Sequence, residues 1–293
     1  MLLCYNEVGD FMKFTKMQGL GNDYIYINQD EEKIDDYSKL SVLLSKRHFA
    51  VGADGIITIS KSDKADFFMQ IYNADGSKGE MCGNGIRCVG KYVYEKHLTD
   101  KKHLTVDTLA GIKVLDLNVV NGKVISVKVD MGEPLTHAGK VLSHDYEVGK
   151  LTHTLNILGN DYDVIDISMG NPHTVIFVPE LTDDLVLNVG KEIEVHPYYE
   201  NRTNVEFVKV INSNTLQMRV YERGSGETYA CGTGSCATAV AYSLKYGVNE
   251  EVTVKLIGGD LKIHWSKEDN HVYMDGPATK VYDGVLDIED ICS

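Results

Sequence analysis

Basic charge is scarce in this chain of 293 residues. Its Lys and Arg total 29 against 43 Asp and Glu, a formal net charge of -14. Neither nucleic acid nor an anionic membrane surface would find a basic footprint here, which argues against both as partners. A small anionic substrate is not excluded, because a local basic pocket can sit within an acidic protein. No apolar run approaches the length of a membrane span. The start, "MLLCYNEVGDFMKF", has neither a basic n-region nor a long apolar h-region, so no secretion signal is read there. No low-complexity stretch and no Pro/Gly-rich linker interrupts the chain. Cysteine is sparse too. Six thiols, at 4, 82, 88, 231, 236 and 292, are too few for a disulfide scaffold of this length. The expectation is free thiols in a reducing cytoplasm.

What remains is an ordinary globular composition, with 43% hydrophobic and 25% charged residues and a mean hydropathy of -0.19. The length favours two domains over one core. A repeat supports that division. "IYNADGSKGEMCGNG" (71–85) aligns with "VYERGSGETYACGTG" (220–234) at an offset of 149, matching Tyr72 with Tyr221 and Cys82 with Cys231. The same offset carries "GLGNDY" (19–24) onto "SMGNPH" (168–173) and Asn22 onto Asn171. "LAGIKV" resembles "IGGDLKI", and "VDMGEP" resembles "VYMDGP", in the same order and at similar spacing. A period this long implies a duplicated domain rather than a solenoid.

Most of each copy reads as strand. "GIITIS", "VISVKVDM", "DVIDIS", "HTVIFV", "VEFVKVI", "LQMRVYE", "VTVKLI" and "LKIHW" are β-branched runs bounded by turn residues, and "VVNGKV" carries an Asn-Gly hairpin signal. Helices are expected near 36–48, 84–97 and 232–246. The last has no charge from Thr228 to Leu244 and is rich in Ala, Ser, Cys and Thr, so it should be buried all round, most simply inside a curved sheet. The helix near 84–97 carries Arg87, Lys91 and Glu95 at four-residue intervals, which predicts one solvated edge. The expected fold class is α/β (α+β). Two pseudosymmetric domains, 1–131 and 132–276, would each wrap a mostly antiparallel sheet around a central helix, with 277–293 packing back on the first.

Each reading of the two "CysGly-x-Gly" stretches starts from the same physics. A thiol at a helix N-terminus feels the positive end of the macrodipole, and the free backbone N–H groups there stabilise a thiolate. Two such ends could hold one carboxylate and place a sulfur on either face of the carbon bearing it. One thiolate would remove a proton while the opposite thiol delivered one, and aligned helix ends would stabilise the developing charge.

At this level of detail the sequence resembles diaminopimelate epimerase. "KMQGLGNDY", "NADGSKGEMCGNGIRC", "MGNPH", "RTNVEF", "VYERGSGETYACGTGSC" and "GPATKVYDG" carry the resemblance from about Met12 to the end of the chain. It implies a cofactor-independent, metal-free homodimeric epimerase acting on LL- and meso-2,6-diaminopimelate in lysine and cell-wall precursor synthesis. Its active site would lie in the cleft between the domains. Cys82 and Cys231 match the catalytic thiols. Asn22, Asn73, Asn171 and Asn204 match substrate-contacting asparagines, and Arg223 matches the arginine for the distal carboxylate. Gly83, Asn84, Gly232 and Thr233 match backbone donors around the reacting carboxylate. His173 and Glu222 match residues that adjust the thiols, with Glu222 also near the amino group. Tyr282 matches a dimer-contact tyrosine. Gly55 stands where some members have Gln, so one substrate contact is lost, and the first dozen residues extend beyond the family's usual start.

Blander readings compete. Cys88 and Cys236 are expected to be packing residues, and Cys4 and Cys292 are terminal and uninformative. Cys-x5-Cys and Cys-x4-Cys fit zinc poorly. "GTGSCA" matches a dinucleotide fingerprint, but the chain lacks an obvious run of βαβ units. Asn73 in "NADG" could be a turn residue and His173 a satisfied core histidine. A proline racemase or hydroxyproline epimerase is the nearest alternative, though those typically carry His at the position of Asn84. A thiol–disulfide sensor joining Cys82 to Cys231 is the alternative from another class.

Overall fold

The computed structural model describes residues 11–287. Cys4, Cys292 and the first ten residues lie outside that range. Two compact units divide the chain, one holding residues 11–129 and 277–287 and the other 130–276.

In the first unit, strands β1 (Phe11–Gly19), β2 (Asn22–Asn28), β3 (Gly55–Ser60), β4 (Phe67–Asn73), β5 (Lys78–Gly79), β6 (His103–Thr108), β7 (Gly111–Val120) and β8 (Lys123–Asp130) follow in chain order. Most neighbours are antiparallel, and the closing strand Thr279–Asp287 pairs antiparallel with β1. Two pairings are parallel, β2 with β3 and β4 with β6. Parallel neighbours need a crossover, and each crossover is a helix. Helix α1 (Tyr37–Leu44) joins β2 to β3, and α2 (Gly83–Glu95) joins β4 to β6. The expected Asn-Gly hairpin is formed between β7 and β8, with Asn121 and Gly122 both at positive φ.

Helix α1 is capped by the Asp36 side chain, which accepts the Lys39 N–H, and it packs Tyr37, Leu40 and Leu44 onto Met12, Phe14, Ile25, Ile27 and Ile56. It is shorter than the expected 36–48, with Ser45 as its C-cap and the backbone turning left-handed beyond it at His48. Helix α2 is the central one, with β1, β2, β7 and the closing strand all against it.

The anticipated solvated edge of α2 does not exist. Arg87 is fully buried, its guanidinium donating to the carbonyls of Gly83 (3.1 Å) and Pro277 (3.1 Å) and to Asn84 Oδ1 (3.0 Å). Lys91 Nζ donates to Glu95 (2.7 Å) and to the Val124 carbonyl (2.8 Å), while Glu95 accepts the Val124 N–H. These long side chains bond buried backbone groups and one another, so a charged stripe faces the protein instead of water.

The second unit has the same plan. Strands β9 (Thr152–Ile157), β10 (Asn160–Ser168), β11 (Pro172–Phe177), β12 (Asn204–Asn212), β13 (Thr215–Glu222), β14 (Gly226–Glu227), β15 (Val252–Leu256), β16 (Gly259–Trp265) and β17 (Val272–Gly276) pair antiparallel, except β11 with β12 and β13 with β15. A helical segment the sequence reading missed makes the first parallel crossover. A wide-turn stretch, Asp184–Val189, continues into α3 (Gly190–Glu194) and packs Val186, Val189 and Ile193 on Phe207, Val205 and Ile176. Helix α4 (Gly232–Tyr246) makes the second, and its residues 234–243 are all buried, as the uncharged sequence requires. Cys88 and Cys236 are likewise fully buried packing residues on α2 and α4.

Strand–helix–strand crossovers are therefore present, contrary to expectation. The dinucleotide fingerprint still has the wrong setting, since β13 ends at Glu222 and α4 begins only at Gly232, instead of the tight turn such a loop needs.

Replacing Arg87 with Met would take a buried donor from the Pro277 carbonyl and another from Asn84 Oδ1, at about 1–3 kcal/mol each. Urea denaturation followed by circular dichroism should show an unfolding transition displaced to clearly lower urea. An unchanged midpoint would contradict this account of Arg87.

Candidate active site

Both central helices begin in the same unusual way. Cys82 and Cys231 are the N-cap residues of α2 and α4, each with extended backbone (φ -135°, ψ 114° and φ -118°, ψ 112°). The sulfur takes the place that a Ser, Thr or Asp oxygen normally fills. Gly85 N–H donates to Cys82 Sγ at 3.3 Å, and Gly234 N–H donates to Cys231 Sγ at 3.4 Å. A sulfur that accepts this bond at the positive helix end is better served as thiolate than as thiol.

The second glycine of each motif is required by close approach. A Cβ on Gly85 would lie 2.6 Å from Ile57 Cδ1, and one on Gly234 would lie 2.5 Å from Glu206 Oε1 and 3.2 Å from Cys231 Sγ. Any side chain there would push the helix end away from the strand behind it.

Around Cys82 the first unit places Asn22 and Tyr24. Cys82 Sγ lies 3.2 Å from Asn22 Oδ1, and Asn22 Nδ2 donates to Asp54 Oδ2 at 2.7 Å, which fixes the amide. Asp54 also accepts the Asp23 N–H and is held by Arg47. Burial pushes the Tyr24 phenol well above its ordinary pKa, with Cys82 and Asp54 adding to the rise. Asn84 is buried with its Oδ1 on Arg87, so its backbone faces the helix end, as Gly83 does. Asn73 ends β4 just before a turn, its Nδ2 on Ser77 Oγ at 3.0 Å. Gly55 is closed to any side chain, because a Cβ there would meet the Tyr72 carbonyl at 2.2 Å and the Tyr24 ring at 3.1 Å.

Around Cys231 the second unit places a different set. Thr233 Oγ1 is 3.6 Å from the sulfur and accepts Asn171 Nδ2 at 3.3 Å. His173 is fully buried, with Nε2 3.0 Å from Asn171 Oδ1 and Nδ1 2.7 Å from Glu206 Oε1. Asn204 donates to the Pro172 carbonyl and accepts the Arg223 N–H, so it holds the backbone from which the exposed Arg223 extends. Arg223 Nη1 reaches the Asn201 carbonyl at 3.3 Å, and Glu222 is bound by the Thr228 hydroxyl. Burial, then Glu222, then Glu206 push the Cys231 thiol well above its ordinary pKa. Polar atoms of His173, Glu206 and Cys231 all lie within 4.8 Å of one another, a spacing that could hold a metal ion. His173 Nδ1 and Glu206 Oε1 already contact each other at 2.7 Å, and the Gly234 N–H already donates to the sulfur.

Glu206 was missed in the sequence. It lies within the apolar run "VEFVKVI", where a single acid reads as an outward-facing strand residue. The repeat offset offered a signal, because it places Glu206 on Ile57, a buried position of the first copy. Tyr282 lies on the closing strand, half-exposed, its ring edge-on to Phe14 at 5.9 Å.

The fold of these two units is shared with several solved structures. One is a hydroxyproline epimerase from Agrobacterium vitis with bound trans-4-OH-L-proline, at TM-score 0.68 and 15% identity over 97% of this chain and 94% of that one. Another is a Bacillus anthracis phenazine biosynthesis protein of the PhzF family, at TM-score 0.67 and 17% identity over 94% and 99%. At sequence level the likeness is far closer. The diaminopimelate epimerase family model matches residues 14–136 and 166–281. Diaminopimelate epimerases from Methanococcus maripaludis and Acetivibrio thermocellus are each 50% identical, over 94% and 96% of this chain respectively and 100% of either relative. The chain belongs to the diaminopimelate epimerase family.

Burial pushes Cys88 up to about 11, so at pH 8 it stays a protonated, unreactive thiol. Iodoacetamide at that pH, followed by peptide mass mapping, should label Cys82 well ahead of Cys88 and Cys236. Cys231 labelling should climb as pH rises above the ordinary thiol range. Early labelling of Cys88 would contradict the assignment.

Proposed function

We propose that this protein interconverts LL- and meso-2,6-diaminopimelate at the α carbon, in lysine and cell-wall precursor synthesis. Cys82 and Cys231 act on opposite faces of that carbon, one as thiolate base and the other as thiol acid. No cofactor is needed, since the two thiols supply both proton transfers and the helix ends supply the charge stabilisation. The observation that carries this reading is the matched pair of N-capping thiols, each bonded by the third helical N–H, in a chain half identical to enzymes named diaminopimelate epimerase.

The remaining roles are read from the family resemblance, with each residue's position in support. Backbone N–H groups at Gly83, Asn84, Gly232 and Thr233 open both helices and bind the reacting carboxylate. Asn22 and Asn171, each fixed by a neighbour, contact the substrate beside its thiol. Arg223 receives the distal carboxylate, with Asn204 fixing its backbone, and Asn73 completes the set from the end of β4. Glu222 meets the amino group and, with His173, adjusts the thiols.

The protein works in the cytoplasm, where its thiols stay reduced, as a homodimer with a small-molecule substrate and no nucleic-acid or membrane partner. No described helix is long and apolar enough to cross a membrane. Exposed Phe11, Val281, Tyr282 and Val285 on β1 and the closing strand offer an apolar sheet margin for a second copy.

Purified protein should epimerise LL-diaminopimelate and leave L-proline unchanged in a chiral chromatography assay. Cys82→Ala and Cys231→Ala should each lower turnover by about 10⁴-fold. Turnover of proline alone would favour the proline racemase reading, and full activity of either variant would overturn the two-thiol reading.

A further inference from the structure

The two copies differ at the thiols themselves. The repeat offset carries Tyr24 onto His173 and Ile57 onto Glu206, and strand pairing repeats the match: Tyr24 faces Gly55 in the first unit as His173 faces Asn204 in the second. Ile57 and Glu206 then occupy the same place under their helices, each in contact with the second glycine of the motif. The first unit sets hydrocarbon there. In the second unit a fully buried carboxylate takes its place.

That carboxylate has one evident partner. Glu206 Oε1 lies 2.7 Å from His173 Nδ1, and both side chains are fully buried. Glu206 Oε2 is buried with no hydrogen-bond partner among the described residues. The other ring nitrogen, Nε2, lies 3.0 Å from Asn171 Oδ1, an amide oriented by its Nδ2 on Thr233. Both ring nitrogens therefore face oxygens that accept hydrogen bonds. A neutral imidazole carries one N–H and leaves one contact unmade, whereas an imidazolium satisfies both and balances the buried carboxylate. The titratable groups facing Cys231 are Glu206, Glu222 and His173, so His173 is the one cation in reach among them.

We propose that Glu206 is a positioning residue of the epimerase: it holds His173 as an imidazolium beside Cys231, so that the buried sulfur can bear a negative charge each time its proton has gone to the substrate carbon. In that step the S–H bond breaks, a C–H bond forms, and the S–H electron pair stays on sulfur. The imidazolium keeps both its protons, and the reverse step restores the thiol. Burial and two carboxylates oppose a thiolate at Cys231, and a fixed cation opposes them in turn. The inference rests on the two-thiol reaction proposed above. It also makes the thiols unequal, with only Cys231 having a built-in counter-charge.

Nitrogen NMR of protein labelled with ¹⁵N-histidine tests it, with the His173 signal identified by its loss in His173→Asn. Wild-type protein should show both His173 nitrogens protonated at pH 7.5. In Glu206→Gln, with the carboxylate gone, the ring should carry a single proton at pH 7.5. Turnover of the variant at pH 7.5 should accordingly fall about tenfold or more below wild type. A singly protonated His173 in wild type would overturn the proposal, and so would wild-type turnover in a folded variant. The wild-type spectrum stands even if the variant does not fold. It is also independent of substrate, so a protein inactive on diaminopimelate would overturn the functional reading and leave the His173 result in place.

Discussion

A backbone N–H pointing at a sulfur, once in each unit, is the contact on which the rest of this structure depends. It requires a cysteine in extended conformation at a helix N-cap and a glycine three residues on. It also requires a strand close enough behind the helix that no other residue fits. The strand is close because the helix is a crossover between parallel strands, and the helix is central because the sheet folds around it. The local chemistry and the fold are thus one constraint.

Duplication supplies that constraint twice, and divergence then gives the copies different work. Helix α4 is uncharged and buried from Gly234 to Ser243. Helix α2 carries Arg87, Lys91 and Glu95, yet these are satisfied internally by carbonyls and one another. The equivalent of Arg87 in the second unit is Cys236, a fully buried thiol. At the thiols the difference is one of charge, with Tyr24 and Ile57 near Cys82 against His173 and Glu206 near Cys231. An enzyme that must run in both directions over two different stereoisomers has no need of identical acids and bases. A buried ion pair beside one sulfur is a direct way to make them differ.

Much of this was legible in the residues. The offset of 149 located both thiols, both flanking asparagines and the two central helices, because Cys, Gly and Asn at a helix start serve geometry that tolerates few alternatives. Three features were not read. The helical segment Asp184–Glu194 carries weak local signals, although it stands at the repeat offset from α1 and could have been found that way. The buried edge of α2 looks solvated because its partners, Val124 and Pro277, lie far away in sequence. Glu206 looks like a surface acid because burial on both faces of a strand is invisible to alternation. Each depends on tertiary contact, which local pattern cannot supply.

In the proposed reaction two separate bases, one on each unit, handle the two faces of one carbon. Epimerisation of LL-diaminopimelate in deuterated water, stopped at a few per cent conversion and analysed by mass spectrometry of the separated isomers, tests it most directly. Two bases predict deuterium at the inverted carbon of the product and none in the recovered substrate, because the abstracted proton leaves on one face while solvent-derived deuterium arrives on the other. Equal labelling of product and recovered substrate, or an unlabelled product, would contradict it.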